Sequence, residues 1–216
     1  MKIAIDGTAA SGKGTLAKKL ADKYNIPHLD TGLLYRQVAR ELIIKKKNML
    51  KNIEYHSCNI AKHLDIQNLK KENLRSEKIS KLASLIATYP KLREILNLKQ
   101  KEFVKENEKK FLGCVLDGRD IGIKILPNAD FKFFIDASIE IRAKRRLREK
   151  NITFLHENDE KCMLQSLIKK MYDRDTLDSN RLVSPLAPAK DAHIIDTSFM
   201  DADELLLRVI EIIEGN

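Results

Sequence analysis

Tryptophan is absent from this 216-residue chain, and aromatic residues make up only 6% of it. A protein that stacks bases on aromatic platforms is poorly served by that composition. Cysteine is scarce too: Cys58, Cys114 and Cys162 are widely spaced, odd in number and form no C-x-x-C pair. This argues against a disulfide framework and for a reducing compartment. Cys114, inside "FLGCVLD", reads as a small buried hydrophobe. No stretch approaches the roughly 18 consecutive apolar residues of a membrane span. One lysine and a few residues precede Asp6, too little for the apolar region of a signal peptide. With eight glycines and five prolines there is no low-complexity linker. We therefore expect a soluble, cytoplasmic, monomeric protein with no membrane partner.

What is present is a core and a charge. Apolar residues are 43% of the chain, enough for one domain, or one core with insertions. Lys and Arg number 40 against 31 Asp and Glu, a formal net charge of +9. That balance fits a polyanionic partner: nucleic acid, an anionic membrane or a phosphorylated small molecule. It fits equally well a surface of solvated lysines, because stretches such as "KQKEFVKENEKK" interleave both signs.

The apolar runs alternate in type. "KIAI" is short and continuously apolar, as in a strand buried on both faces. From Lys13 to Tyr24, Leu16, Ala17, Leu20 and Ala21 recur at helical spacing. "IPHLD" is a second short strand, and "TGLLYRQVARELIIKKK" a helix with Leu34, Val38 and Leu42 on one face. Residues 47–75 are polar and Asn/Lys-rich, and read as an irregular insertion with weak strand or helix content. Pro90 divides the helical pattern of "SEKISKLASLIATYPKLREILNLKQKEFVKE" in two. "FLGCVLD" and "ADFKFFIDA" have strand length, "SIEIRAKRRLREK" is a basic helix, and "NITFLHEND" a loop. Residues 160–177 are helical, "RLVSPLAPAKD" is a loop, "AHIID" a last strand, and "DADELLLRVIEII" a helix capped by Asp201 or Asp203. The fold class is α/β, with a parallel sheet covered on both sides. Ligands of such sheets bind at the carboxyl ends of strands, where Asp6, Asp30, Asp117 and Asp136 fall.

The first strand-to-helix connection carries chemistry. "GTAASGKGT" fits G-x-x-x-x-G-K through Gly7, Gly12 and Lys13. Glycines let successive N–H groups of Gly7, Thr8, Ala9, Ala10, Ser11, Gly12 and Lys13 turn toward an anion at a helix N-terminus. The lysine adds a point charge for the β and γ phosphates. The usual motif next has Ser or Thr facing Mg²⁺; here Gly14 intervenes and Thr15 follows. "GKGT" is the form of the nucleoside monophosphate kinases. That resemblance implies Mg²⁺ bound with ATP and held largely by phosphates and water, with Asp117 and Thr15 the candidates to face it through that water.

Three further stretches narrow the reading: "DTGLLYR", "SLIATYPKLRE" and "DGRDIG". Together with the phosphate loop and "RDTLDSNRLVSPL", they resemble the bacterial cytidylate kinases along nearly the whole chain, least so over 47–75. The resemblance implies a three-layer P-loop NTPase core of residues 1–40, 90–146 and 180–216. To it are added a nucleoside monophosphate-binding insertion, 41–89, and a lid, 147–179. It implies phosphorylation of CMP and dCMP by ATP. Arg36, Arg119 and Arg181 would hold the acceptor phosphate, which rigid guanidinium forks suit. Asp120, Arg93 and Ser84 would read cytosine, Arg174 and Asp178 would meet the ribose, and Thr31 would lie in the same site. Lys13, Arg119 and Arg181 would carry the catalytic charge. Leu177 departs from the pattern where many relatives have a basic residue, which would remove one phosphate contact. The five histidines show no ligand or triad spacing and read as structural or exposed.

Arg142, Arg145 and Arg146 are candidates to reach the transferring phosphoryl group from a closing lid; a solvated basic helix is the plainer reading. Adenylate, uridylate or shikimate kinases share the loop class, but "DGRDIG" favours cytidylate over the "DGFPR" of adenylate kinases. A nucleic-acid-binding ATPase would need a continuous basic face. The cations are instead scattered over many helices, so no nucleic acid partner is expected.

Overall fold

The computed structural model describes residues 1–45, 51–67, 69, 74, 76–149, 152, 154, 156–181 and 183–215. Five strands form one sheet: β1 (Lys2–Gly7), β2 (His28–Asp30), β3 (Cys114–Gly118), β4 (Phe131–Asp136) and β5 (His193–Asp196). Their order is β2-β3-β1-β4-β5, every neighbouring pair is parallel, and β1 is central. Asp30 pairs in register with Asp117, and Ile5 with the same residue on the other side. Strand-end carboxylates are thereby gathered at one edge.

The pleat of β1 divides the core. Ile3 and Ile5 face one side, with Leu16, Leu20, Phe133, Leu205 and Val209. That layer is α1 (Lys13–Tyr24) and α8 (Ala202–Glu214). Ala4 faces the other side, with Leu34, Val38, Leu92, Leu96 and Leu116. There lie α2 (Thr31–Ile44), α3 (Ile53–Lys62), α4 (Glu77–Ile86) and α5 (Pro90–Glu108). The result is the three-layer α/β arrangement expected from the alternating runs. α6 (Ile139–Arg148) and α7 (Glu157–Ser179) pack on each other beside the phosphate loop, through Ala143, Met171 and Ala9.

Local chemistry sets several boundaries. Pro90 stands in the first turn of α5, where its missing N–H costs nothing, and α4 ends before it. Asp201 caps α8 in a reciprocal capping box with Glu204.

Two expectations are corrected. The irregular reading of 47–75 gives way at Ile53–Lys62 to a helix whose buried positions are the small Ser57 and Ala61. Ile53 and Ile60 pack against the core on the same helix, and the two small residues interrupt their apolar period. Residues 47–50, 68, 70–73 and 75 of that expectation lie outside the described residues. The loop expected over "NITFLHEND" ends early, because Glu157 and Asp159 belong to the first turn of α7, where acidic groups favour the helix dipole; its residues 151, 153 and 155 lie outside the description.

Candidate active site

The phosphate loop is held by side chains that engage its carbonyls. Gly7 has φ +147°, and a Cβ there would lie 1.9 Å from the Ile135 carbonyl oxygen, so only glycine fits. The Gly7 carbonyl accepts from Arg119 Nη1. Thr8 O accepts from Ser11 Oγ at 3.0 Å and from Lys13 Nζ at 2.9 Å. Ala9 O faces Arg142 Nη1 at 3.4 Å, and Ser11 O accepts from Thr197 Oγ1 at 2.9 Å and Arg145 Nη1 at 3.3 Å. Gly12, at φ +98°, starts α1, and its carbonyl takes the Leu16 N–H. With these carbonyls engaged by side chains, the amides of the loop are left to face an anion. Lys13 sits among these groups with its ammonium depressed to about 7, by burial first and then by Arg119.

Beside the loop stand two carboxylates. Asp30 and Asp117 come from paired strand ends, and both line the same cleft as Lys13, Gly14 and Thr15. Burial raises Asp30 first, and the charge of Asp117 raises it further. His28 Nε2 lies 2.7 Å from Asp117 Oδ1 and fixes that carboxylate, a structural role as expected for the histidines. A Cβ on Gly14 would come 3.7 Å from Asp117 Oδ2. The glycine after Lys13 therefore opens the space before this carboxylate. Two mutually repelling, hard oxygen donors beside a phosphate cradle suit a divalent cation. Among the described residues no cluster of three acidic, His or Cys side chains could hold a metal alone. Phosphates and water must supply the rest of any coordination shell.

The cleft continues to the acceptor side, about 370 Å³ in all. It brings together Thr31, Arg36, Ser84, Arg93, Arg119, Asp120, Arg174, Asp178 and Arg181 in one cleft with the phosphate loop. Arg93 and Asp120 are buried and paired, Nη2 to Oδ2 at 2.7 Å, with Arg93 Nη1 donating to Ala87 O at 3.1 Å. Thr31 Oγ1 donates to Asp117 O at 2.9 Å, tying α2 to β3. Asp178, expected near the ribose, lines the cleft and also holds arginines: Arg181 Nη2 donates to its Oδ1, and Arg119 Nε lies 2.9 Å from Oδ2. Arg174 Nε stands 4.0 Å from the same oxygen. Burial alone would raise the Asp178 carboxyl, but Arg119, Arg181 and Arg174 outweigh it and hold it below the usual range. Leu177 is exposed and outside the lining of the cleft, so it displaces no group from it.

The three arginines of α6 divide. Arg146 lines the cleft and pairs with Glu149 at 2.7 Å. Arg142 and Arg145 do not line it. Arg142 is buried and bound to Ala137 O, Ala9 O and Asp175, while Arg145 binds Thr197, Met200 O and Ser11 O. Both are struts behind the phosphate loop, because unpaired loop carbonyls offer better partners than open solvent.

Sequence reasoning placed Asp6 at a ligand-facing strand end without giving it a role, and passed over Tyr35. The Asp6 carboxylate is buried and accepts the N–H groups of Ile121 and Gly122, each at 2.8 Å; burial pushes it up to about 7. Tyr35 lines the cleft with its ring near Arg93, 5.7 Å from centroid to guanidinium carbon. Its place one residue before Arg36 was the available signal.

A family model described as cytidylate kinase matches residues 3–215. The cytidylate kinase of Bartonella quintana is 44% identical over 196 residues, covering 91% of this chain and 86% of that protein. That of Nitrobacter winogradskyi is 42% identical over 215 residues, covering 100% and 96%. A solved structure of an uncharacterized protein from Eubacterium ventriosum has TM-score 0.51 at 20% identity, covering 100% of this chain and 99% of that one, a likeness of fold. Kinases of this family use ATP together with a divalent metal ion. The phosphate cradle, the arginine-lined acceptor side and these relatives agree: the chain belongs to the cytidylate kinase family.

Proposed function

We propose that the chain transfers the γ-phosphoryl group of ATP to CMP, and to dCMP, giving CDP and dCDP. The observation that carries this reading is the buried Arg93–Asp120 pair, facing the phosphate loop across one cleft. Asp120 Oδ2 takes the Arg93 contact, which leaves Oδ1 to accept from the cytosine N4 amino group. The remaining N–H groups of Arg93 donate toward N3 and O2, with Ser84 alongside. Uracil would present O4 to the carboxylate. An unpaired buried polar group costs about 1–3 kcal/mol, roughly ten- to hundredfold in selectivity. Asp178 Oδ2 has no hydrogen-bond partner among the described residues and can accept from either ribose hydroxyl, which fits dCMP as a second acceptor.

In this reading the chain positions charge rather than making bonds of its own. Loop amides and Lys13 hold the β and γ phosphates of ATP. Arg36, Arg119 and Arg181 hold the acceptor phosphate, itself an oxyanion, so no strong general base is needed. Mg²⁺ is the divalent ion we propose; Asp117, Asp30 and Thr15 would help hold it, and when bound it would neutralise charge on the ATP phosphates. Arg146 is the α6 arginine poised to neutralise the transferring group. Residues 41–89 act as the acceptor-side insertion and 147–179 as the lid, a division supported by Ser84 of the first and Arg174 of the second both lining the cleft. Closure keeps water from the phosphoryl group. We infer that it acts as a monomer, without nucleic acid. The free thiols of Cys58, Cys114 and Cys162 suit the cytoplasm.

The test is a coupled assay with ATP and each of CMP, dCMP, UMP and AMP. CMP and dCMP should give the highest kcat/KM. An enzyme that prefers AMP would overturn the base reading at Arg93 and Asp120.

A further inference from the structure

Asp120 occupies the residue before the π-helical turn Ile121–Ile125, a place where an aspartate ordinarily turns its own side chain onto the first free N–H groups. It makes no such contact here. The N–H groups of Ile121 and Gly122 are taken by Asp6, 115 and 116 residues earlier, at the end of β1. Each carboxylate oxygen of Asp6 takes one N–H at 2.8 Å. Asp120 is thereby left to turn the other way, to Arg93 and the cleft. The next residue after Asp6 completes the clamp, since the Gly7 carbonyl accepts from Arg119.

We propose that Asp6 is a positioning residue for base selection: it caps the turn in place of Asp120 and so keeps the Asp120 carboxylate available to the acceptor base. The proposal rests on the cytidylate reading. Without Asp6, two buried N–H groups lose their acceptor, and the nearest replacement is Asp120 itself, through an ordinary side-chain cap. That rotation would break the contact with Arg93 and remove the group that receives the N4 amino donor. Asp6 acts on the acceptor half of the site, although it lies in the strand that leads into the donor loop.

The experiment compares wild type, Asp6→Ala, Asp6→Asn, Asp120→Asn and the double variant Asp6→Asn/Asp120→Asn. For each, KM for ATP and kcat/KM for CMP and UMP are measured, with thermal unfolding as a check on folding. Asp6→Asn keeps the size of the side chain but loses one acceptor, and carries the test if Asp6→Ala does not fold. The expected result is a CMP/UMP ratio reduced about tenfold or more, with the ATP KM within about twofold of wild type. The double variant should discriminate no worse than Asp120→Asn alone, because both changes remove one interaction. A folded Asp6→Asn enzyme with the wild-type CMP/UMP ratio overturns the inference. So does a parallel rise of both substrates' KM, or additive losses in the double variant. If wild type itself shows no preference for CMP, the functional reading fails first, and the assay shows that separately.

Discussion

Arg142 and Asp175 meet at 2.5 Å behind the phosphate loop, joining α6 to α7. The same guanidinium donates to Ala137 O at 2.8 Å and faces Ala9 O at 3.4 Å, so one side chain ties the loop to both helices. Asp175 lies one residue from Arg174 in the cleft. Removing one partner of such a buried pair leaves the other uncompensated, at about 3–5 kcal/mol. Arg142→Met should therefore lower Tm by roughly 6–20 °C in a chain of this size. Asp175→Asn keeps one acceptor and should cost less, on the order of 1–3 kcal/mol. Thermal unfolding of both variants checks the order; a shift below about 2 °C for Arg142→Met would show the strut carries little.

How much of this could be read from the sequence depends on how local each cause is. Gly7, Gly12 and Lys13 act within one loop, and Pro90 and Asp201 each act on their own helix, so all were legible. Arg142 was not, because its partner carbonyl at Ala9 is 133 residues away and its acidic partner lies on another helix. A run of arginines looks the same whether it faces a ligand or braces a backbone. Asp6 reads as the end of a strand until Ile121 and Gly122 are folded against it. Helix α3 escaped because the small Ser57 and Ala61 interrupt the apolar period of Ile53 and Ile60, which pack against the core, within a polar stretch. The acceptor residues were found through their resemblance to a family. Spacing alone would not have brought Arg36, Arg93 and Arg181 to one cleft.

The two loop glycines should answer substitution differently. At Gly7 a Cβ would overlap the Ile135 carbonyl at 1.9 Å, in a backbone region that L residues avoid. Gly7→Ala should yield protein that fails to fold or loses all phosphoryl transfer. At Gly14, in the first turn of α1, the nearest atom is Asp117 Oδ2 at 3.7 Å, an ordinary contact. Gly14→Ser should fold with unchanged or slightly higher Tm, since glycine in a helix costs up to about 1 kcal/mol. It should also alter the dependence of activity on divalent metal, because a hydroxyl now sits before Asp117. Metal titrations of kcat compare the two proteins; identical curves would argue that Asp117 lies outside the metal's surroundings.

Asp178 and Asp6 should tilt stability with pH in opposite directions. Asp178 is held below its ordinary value of 3.8 because three guanidiniums outweigh burial. A depressed carboxyl contributes stability above its unfolded pKa and loses it as pH falls through the folded one. Wild type should thus weaken below about pH 4, and Asp178→Asn should flatten that acid limb while costing about 3–5 kcal/mol at neutral pH. Asp6 is raised from 3.8 to about 7 by burial. Its contribution is fully present below pH 3.8 and is lost as pH rises through about 7. Asp6→Asn should remove that decline. Urea midpoints recorded across this range for the three proteins decide the matter; unaltered slopes in both variants would refute the assignment.

Lys13 offers a direct reading of the phosphate loop by proton count. Burial, and then Arg119, depress its ammonium from 10.5 to about 7, so at pH 8 most of it is neutral. The β and γ phosphates of ATP would place negative charge beside it and restore the charged form. ATP itself carries no titrating proton at that pH. Binding should then take up about one proton per nucleotide at pH 8 and much less at pH 6, where Lys13 is already charged. Calorimetry in two buffers of different ionisation enthalpy measures this uptake. Lys13→Met should bind ATP more weakly and take up none. Uptake of zero by the wild type at pH 8 would mean that Lys13 does not meet the phosphates.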